Sequence, residues 1–154
     1  MDDKVVTDSS KVGWSKYKTQ PIYVMHKYRA GICWDFVNYQ HNVFKKNGYP
    51  DESYMFVMER NNDPNDIVTH TFSIVDVCGK KYWFESSWFK HRGVHEVSSY
   101  KDVINILRKE YGTDTEYDLY KYNPDGLDRN LSMNDFFERT SNNLVYHYDG
   151  KTIK

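Results

Sequence analysis

Three residues of types that could together perform nucleophilic chemistry come from three separate stretches of this chain. The small pair Ala30-Gly31 and then Ile32 lead into Cys33, which begins a segment whose apolar residues have helical spacing. The unpaired N–H groups and the dipole of a helix N-terminus stabilise a thiolate by roughly 0.3–2 kcal/mol. This is too little for full ionisation at neutral pH, so an efficient nucleophile would also need a nearby imidazolium.

A histidine and a glutamate on neighbouring predicted strands are the candidates for that imidazolium and its partner. His70 lies early in an apolar, β-branched run, where strand alternation places it on the same face as Phe72. If Cys78-Gly79 is a two-residue turn, Glu85 faces Phe72 and lies one diagonal step from His70, about 7–8 Å away. Two simpler interpretations remain open: a backbone carbonyl satisfies His70, and Glu85 is solvated at the rim of the sheet.

Together the three residues have the side-chain types that a thiol acyl-transfer triad requires: a nucleophile, a base and an orienting acid. Cys33 would attack a carbonyl carbon, His70 would hold the thiolate and later protonate the leaving amine, and Glu85 would orient the imidazole. The backbone N–H of Cys33, at the start of the helix, is a natural donor to the oxyanion.

The three segments resemble the transglutaminase-like branch of the papain-fold superfamily. They read YRAGICWDF, THTFSIV and YWFESSW, with 37 residues from Cys33 to His70 and 15 from His70 to Glu85. Members carry a small-Gly-x-Cys motif at a helix start, a His that opens a strand and an Asp on the next strand. Cys33-Trp34 followed by Phe36 also resembles the papain-like Cys-Trp-x-Phe signature. The resemblance covers residues 28–88, and it departs from the family at Glu85, where Asp is usual.

The resemblance implies a fold, an activity and a kind of substrate. The fold would be α+β and papain-like, with the Cys33 helix packed on an antiparallel sheet. The activity would be cysteine-dependent acyl transfer on amide, peptide or isopeptide bonds of a protein or peptide, through a thioester acyl-enzyme. Protease, deamidase and transglutaminase all fit, and an arylamine-acetyltransferase-like activity fits less well because the chain is short. The alternative is a non-catalytic binding module that keeps the scaffold.

Members of this family often supply a side-chain oxyanion donor from upstream of the cysteine. Three upstream residues have side chains that could donate, and the sequence does not choose among them: Trp14, Gln20 and His26.

Periodicity and turn residues predict an α+β order of elements in a single domain of residues 1–154. Residues 1–20 are expected to be irregular or a short helix, and the NNDPND tract at 61–66 a turn. The predicted helices are 33–47, 100–111 and 132–139, and the predicted strands are 53–60, 67–77, 81–86, 116–122 and 143–148.

Composition excludes several other classes of protein. The 154 residues carry 21 Lys+Arg against 22 Asp+Glu, a net charge of −1, so we expect no nucleic-acid partner. No apolar run reaches the ~18 residues of a membrane span, and no secretory leader is evident. With two cysteines and no disulfide framework, we expect a soluble protein of a reducing compartment, the cytoplasm.

Neither a cofactor nor a metal is expected. The chain has no Gly-rich phosphate loop. His91 and His95 have the i,i+4 spacing of a helical metal pair, but Gly93 between them makes a helix doubtful. Aromatic residues make up 17% of the chain, which we interpret mainly as core filling. Trp88, Phe89 and His91 follow the Glu85 strand and could either wall a substrate cleft or belong to the core.

Overall fold

A computed structural model describes residues 17–28, 31–59, 63, 67–111 and 115–149. The predicted turn at 61–66, apart from Asp63, and most of the segment 1–20 lie outside these residues. The helices are α1 (Ile22–Tyr28), α2 (Cys33–Lys46), α3 (Tyr100–Tyr111) and α4 (Met133–Thr140), and the strands are β1 (Asp51–Glu59), β2 (Ile67–Val77), β3 (Lys80–Glu85), β4 (Gly93–Val97), β5 (Tyr117–Tyr122) and β6 (Leu144–Tyr148).

The strands form one antiparallel sheet in the order β4-β3-β2-β1-β5-β6. The predicted two-residue turn is present, because Val77 pairs with Lys80. Cys78 and Gly79 both have positive φ, 54° and 82°, which is the backbone twist that a tight hairpin requires. The α+β class is therefore confirmed. The β2–β3 register is also the one that the prediction for Glu85 assumed, with Glu85 on the same face of the sheet as His70.

Alternating residues of β1 point into two separate apolar cores. Tyr54, Phe56 and Met58 lie in one core with Val103 and Leu107 of α3. Met55 lies in the other core, together with residues of α2, α4, β5 and the segment before α1: Tyr17, Trp34, Val37, Tyr122 and Phe136. The sheet is thus covered by helices on both faces, and α2 lies on the face opposite α3.

Two elements were missed by the sequence analysis. The seven-residue helix α1 begins just after Pro21, whose carbonyl accepts from the N–H groups of Val24 and Met25. The strand β4 pairs with β3 at the edge of the sheet and is largely exposed, so its apolar alternation is weak. Within the residues that the structure describes, no helix has the length and apolar content needed to cross a membrane.

Candidate active site

Cys33 is the first residue of α2, as the sequence predicts. Ile32, with φ −98° and ψ 179°, is the extended residue that precedes the helix. The Cys33 thiol is free, half-buried and packed against the core beneath α2. Gly31 lies two residues before Cys33, and the lack of a side chain there has a steric reason. A Cβ on Gly31 would lie 2.7 Å from the Cβ of Asp35 and 2.8 Å from the sulfur of Met25.

A buried carboxylate that the sequence analysis missed secures the start of this helix. Asp35, in the first turn of α2, accepts hydrogen bonds from the Ile32 N–H at 2.9 Å, the Gln20 N–H at 2.6 Å and the Tyr17 hydroxyl. Burial raises the pKa of Asp35, and the hydrogen bonds from Gln20, Tyr17 and Ile32 oppose that shift. The detectable signal was an acidic residue in the first turn of the predicted helix.

His70 and Glu85 meet directly between β2 and β3. The Nε2 atom of His70 lies 2.7 Å from Oε2 of Glu85, and both side chains are buried. The other oxygen of Glu85 accepts from the Ser87 N–H at 3.0 Å, the Trp88 N–H at 2.9 Å and the Ser87 hydroxyl at 3.2 Å. Glu85 is therefore neither solvated nor free to rotate.

The Cys33 side chain is close enough to the His70 ring to help raise the pKa of His70. Because Glu85 engages Nε2 of His70, Nδ1 is the ring nitrogen that remains for a second partner. The β2–β3 pairing ends at Ser73 and Phe84, so the part of β2 that carries His70 extends past the end of β3. Among the described strands, none pairs with this part of β2 on the β3 side.

The electrostatics of the cluster favour a charged imidazole. Burial by itself lowers the pKa of His70, but the Glu85 charge and the hydrogen bonds with Cys33 and Glu85 outweigh it and raise the pKa to about 10. Burial pushes the pKa of Glu85 up, and the His70 charge together with the Ser87 and Trp88 N–H groups brings it below its usual value. The two shifts agree, and they describe an imidazolium held by a carboxylate.

Aromatic residues from the segment after Glu85 close the site on one side. The Trp88 ring lies edge-on to the His70 ring at 5.7 Å, whereas Phe89 is mostly exposed. His91 and His95 instead flank Trp83, at 6.0 and 4.8 Å between ring centroids. The described part of the chain contains no group of three or more His, Cys, Asp or Glu side chains that could hold a metal ion.

The candidate side-chain donors to an oxyanion have different positions. The Gln20 amide donates to the Lys18 carbonyl at 3.1 Å, while its backbone N–H is held by Asp35. Nδ1 of His26 lies 3.2 Å from the Tyr39 hydroxyl on the surface. Trp14 lies outside the described residues. Of the two candidates that the structure describes, Gln20 is the one whose backbone is tied to the first turn of the Cys33 helix.

Comparison of this chain with protein-family models, with curated proteins and with solved structures gives no match.

Proposed function

We propose that this protein is a cysteine-dependent acyl-transfer enzyme of the transglutaminase-like, papain-fold type, acting on amide or peptide bonds of a protein or peptide. The observation that carries the proposal is the buried pair of His70 and Glu85, with Nε2 and Oε2 2.7 Å apart, beside a Cys33 side chain that helps to raise the pKa of the same His70 ring. A thiol, a base and an orienting acid in contact form the minimal arrangement for forming and breaking a thioester.

The proposed reaction begins from an ion pair in which His70 carries the proton and the Cys33 sulfur is the nucleophile. The sulfur then forms a bond to the substrate carbonyl carbon, and the carbonyl oxygen takes up the electron pair as an oxyanion. The first N–H groups of a helix have no intrahelical partner, so those at the start of α2 are suited to receive that charge. When the oxyanion collapses, the C–N bond breaks and His70 gives its proton to the leaving amine.

The acyl group is then held on Cys33 as a thioester. Water or a second amine adds to the thioester carbon, and His70 accepts the proton that this nucleophile loses. Collapse breaks the C–S bond, and the sulfur leaves as a thiolate beside the protonated His70, which restores the starting ion pair. An acid is the product if water attacks, and a new amide is the product if an amine attacks.

The exposed Cys78 provides an internal control for a test of this proposal. Both cysteines are free, and Cys78 is the more accessible one. We expect iodoacetamide to label Cys33 at least about tenfold faster than Cys78 at pH 6, because an imidazolium beside a thiol favours the reactive thiolate. Peptide mass spectrometry of one sample, sampled over time, measures both rates.

The His70→Gln variant separates this effect from accessibility. In it, Cys33 should lose its advantage at pH 6, while labelling of Cys78 stays unchanged. Faster labelling of Cys78 than of Cys33 throughout pH 5–8 in the unsubstituted protein would overturn the proposal and favour a binding module. Cys33→Ser should keep the fold and form no acyl-enzyme with any peptide ester.

A further inference from the structure

We propose that the cavity between α1, α2 and β3 is the substrate-specificity pocket of the enzyme and takes an aromatic side chain that carries a hydroxyl, a tyrosine. The inference rests on the proposed function, because the pocket is assigned to the same substrate. It depends on three observations: where the cavity lies, what lines it, and one buried polar atom that has no partner.

The cavity lies along the helix face that carries Cys33. With 3.6 residues per turn, Gln40 and Phe44 project within about 20° of Cys33 around the α2 axis. Both line the cavity, and so does Phe36, one turn after Cys33. On the opposite wall Ser86 directly follows Glu85, the partner of His70. The pocket is therefore built from the same two elements that carry the nucleophile and the acid.

The walls of the cavity are apolar and its size suits one side chain. Its volume is about 340 Å³, near the lower end of the roughly 300–1,000 Å³ typical of small-molecule sites. Phe44 and Phe84 meet edge to face at 5.0 Å, which gives a rigid aromatic wall. The remaining apolar lining comes from Met25, Phe36, Tyr39 and Val43.

One polar pair interrupts this lining and has unused hydrogen-bonding capacity. The Gln40 amide nitrogen donates to the Ser86 hydroxyl at 2.8 Å. The Gln40 carbonyl oxygen is buried without a hydrogen-bond partner, on a residue only 9% exposed. An unpaired buried acceptor is costly, so it favours a ligand that brings a donor.

A phenol can make a hydrogen bond with each member of the Gln40–Ser86 pair. Once a small rotation of the Gln40 amide brings its oxygen to the cavity surface, the phenol O–H would donate to that oxygen, and the phenol oxygen would accept from the Ser86 hydroxyl, whose hydrogen is free to rotate. The ring would lie against Phe44 and Phe84. A phenylalanine would fill the same space and leave the Gln40 oxygen unpaired, so the pocket discriminates between two side chains that differ by one oxygen atom.

The test measures binding without chemistry. N-acetyl-tyrosine amide and N-acetyl-phenylalanine amide are titrated into the Cys33→Ala protein, with the Gln40 side-chain amide followed by NMR. We expect the tyrosine ligand to bind about tenfold more tightly and to shift the Gln40 signal. Equal affinities, or a tyrosine ligand that leaves the Gln40 signal unmoved, would overturn the pocket assignment.

Two variants make the test independent of any one substitution. Gln40→Leu should bring the two affinities to within about twofold of each other. Val43→Trp, at a position 36% exposed, should fill the cavity and abolish binding of both ligands while thermal unfolding stays close to that of the parent protein. Preserved tyrosine preference in a folded Gln40→Leu protein would contradict the proposal.

The outcome also separates the pocket from the proposed chemistry. A tyrosine preference together with a Cys33 that alkylates no faster than Cys78 would overturn the enzyme proposal and leave a tyrosine-binding site. A fast Cys33 with equal affinities for the two ligands would overturn the pocket alone.

Discussion

Trp34 and Phe136 stack with their ring centroids 3.9 Å apart and their planes only 9° apart. Trp34 is the neighbour of Cys33 at the start of α2, and Phe136 lies in α4, a hundred residues further along the chain. Both are almost fully buried. The C-terminal part of the chain, in which the sequence shows no motif, therefore supports the helix that carries the nucleophile.

Removal of this support should destabilise the protein and disturb the thiol. We expect Phe136→Ala to lower the free energy of unfolding by about 3–5 kcal/mol through loss of apolar contacts and the cavity left behind. Phe137→Ala, next in sequence but 38% exposed, should cost less than about 1 kcal/mol. Urea unfolding of the two variants measures the difference; equal losses would show that the stacking contributes nothing specific.

Glu85 should matter less for turnover than His70, because orienting a base contributes less than having one. His70→Ala is expected to reduce the rate of acylation by about 10²–10⁴-fold, the usual contribution of a general base. Glu85→Ala should reduce it less, yet cost about 3–5 kcal/mol of stability because it leaves His70 buried without its partner. Single-turnover rates with a peptide ester rank the two variants.

A surface pair of the same chemical type is the control for Glu85. Glu110 lies 3.3 Å from Nε2 of His91 but on the exterior, so Glu110→Ala should leave stability and acylation nearly unchanged. If Glu85→Ala slowed acylation more than His70→Ala, the assignment of base and orienting acid would be wrong.

The stability of the protein should depend on pH through His70. Its pKa is about 10 in the folded state, because burial lowers it less than Glu85 and Cys33 together raise it, against about 6.5 in an unfolded chain. The stabilisation is therefore complete below pH 6.5 and is lost as the pH rises towards 10, by up to about 1.4 kcal/mol per pH unit. The lowered pKa of Glu85 acts only at acid pH, outside this window.

Urea unfolding of the parent protein and of His70→Gln at several pH values from 6 to 10 measures this dependence. The stability difference between the two should shrink steadily across the range, because only the parent protein loses the bound proton. A difference that stays constant or grows over this range would contradict the raised pKa of His70.

Asp35 should prove essential for the start of α2. In Asp35→Ala the Tyr17 hydroxyl and the Gln20 and Ile32 N–H groups lose their common acceptor, at about 1–3 kcal/mol for each donor left buried and unpaired. Asp102→Ala, in the first turn of α3 but at a partly exposed position, is the matched control and should cost much less. Thermal unfolding compares the two, and a larger loss in Asp102→Ala would refute this role.

Local sequence was sufficient to predict most strands of the sheet and to predict that Glu85 lies near His70. The bounds of β2 and α3 match their predictions, because β-branched and helical periodicities are local signals. The two-residue turn at Cys78-Gly79 fixes the register of β2 against β3, because a hairpin's register follows from its turn. That register places Glu85 on the face of the sheet that carries His70. The seven-residue α1 and the exposed edge strand β4 carry weak periodicity, and local reasoning missed both.

What only the tertiary structure decided is how distant segments converge on Cys33. The proximity of its side chain to His70 depends on how α2 packs on a sheet whose strand β3 ends before it reaches the level of His70, and no local pattern encodes that packing. The same holds for the stacking of Phe136 on Trp34 and for the clamp of Asp35 on Tyr17 and Gln20. Side-chain contacts between segments far apart in sequence depend on how whole elements pack, whereas periodicity and turn chemistry depend only on near neighbours.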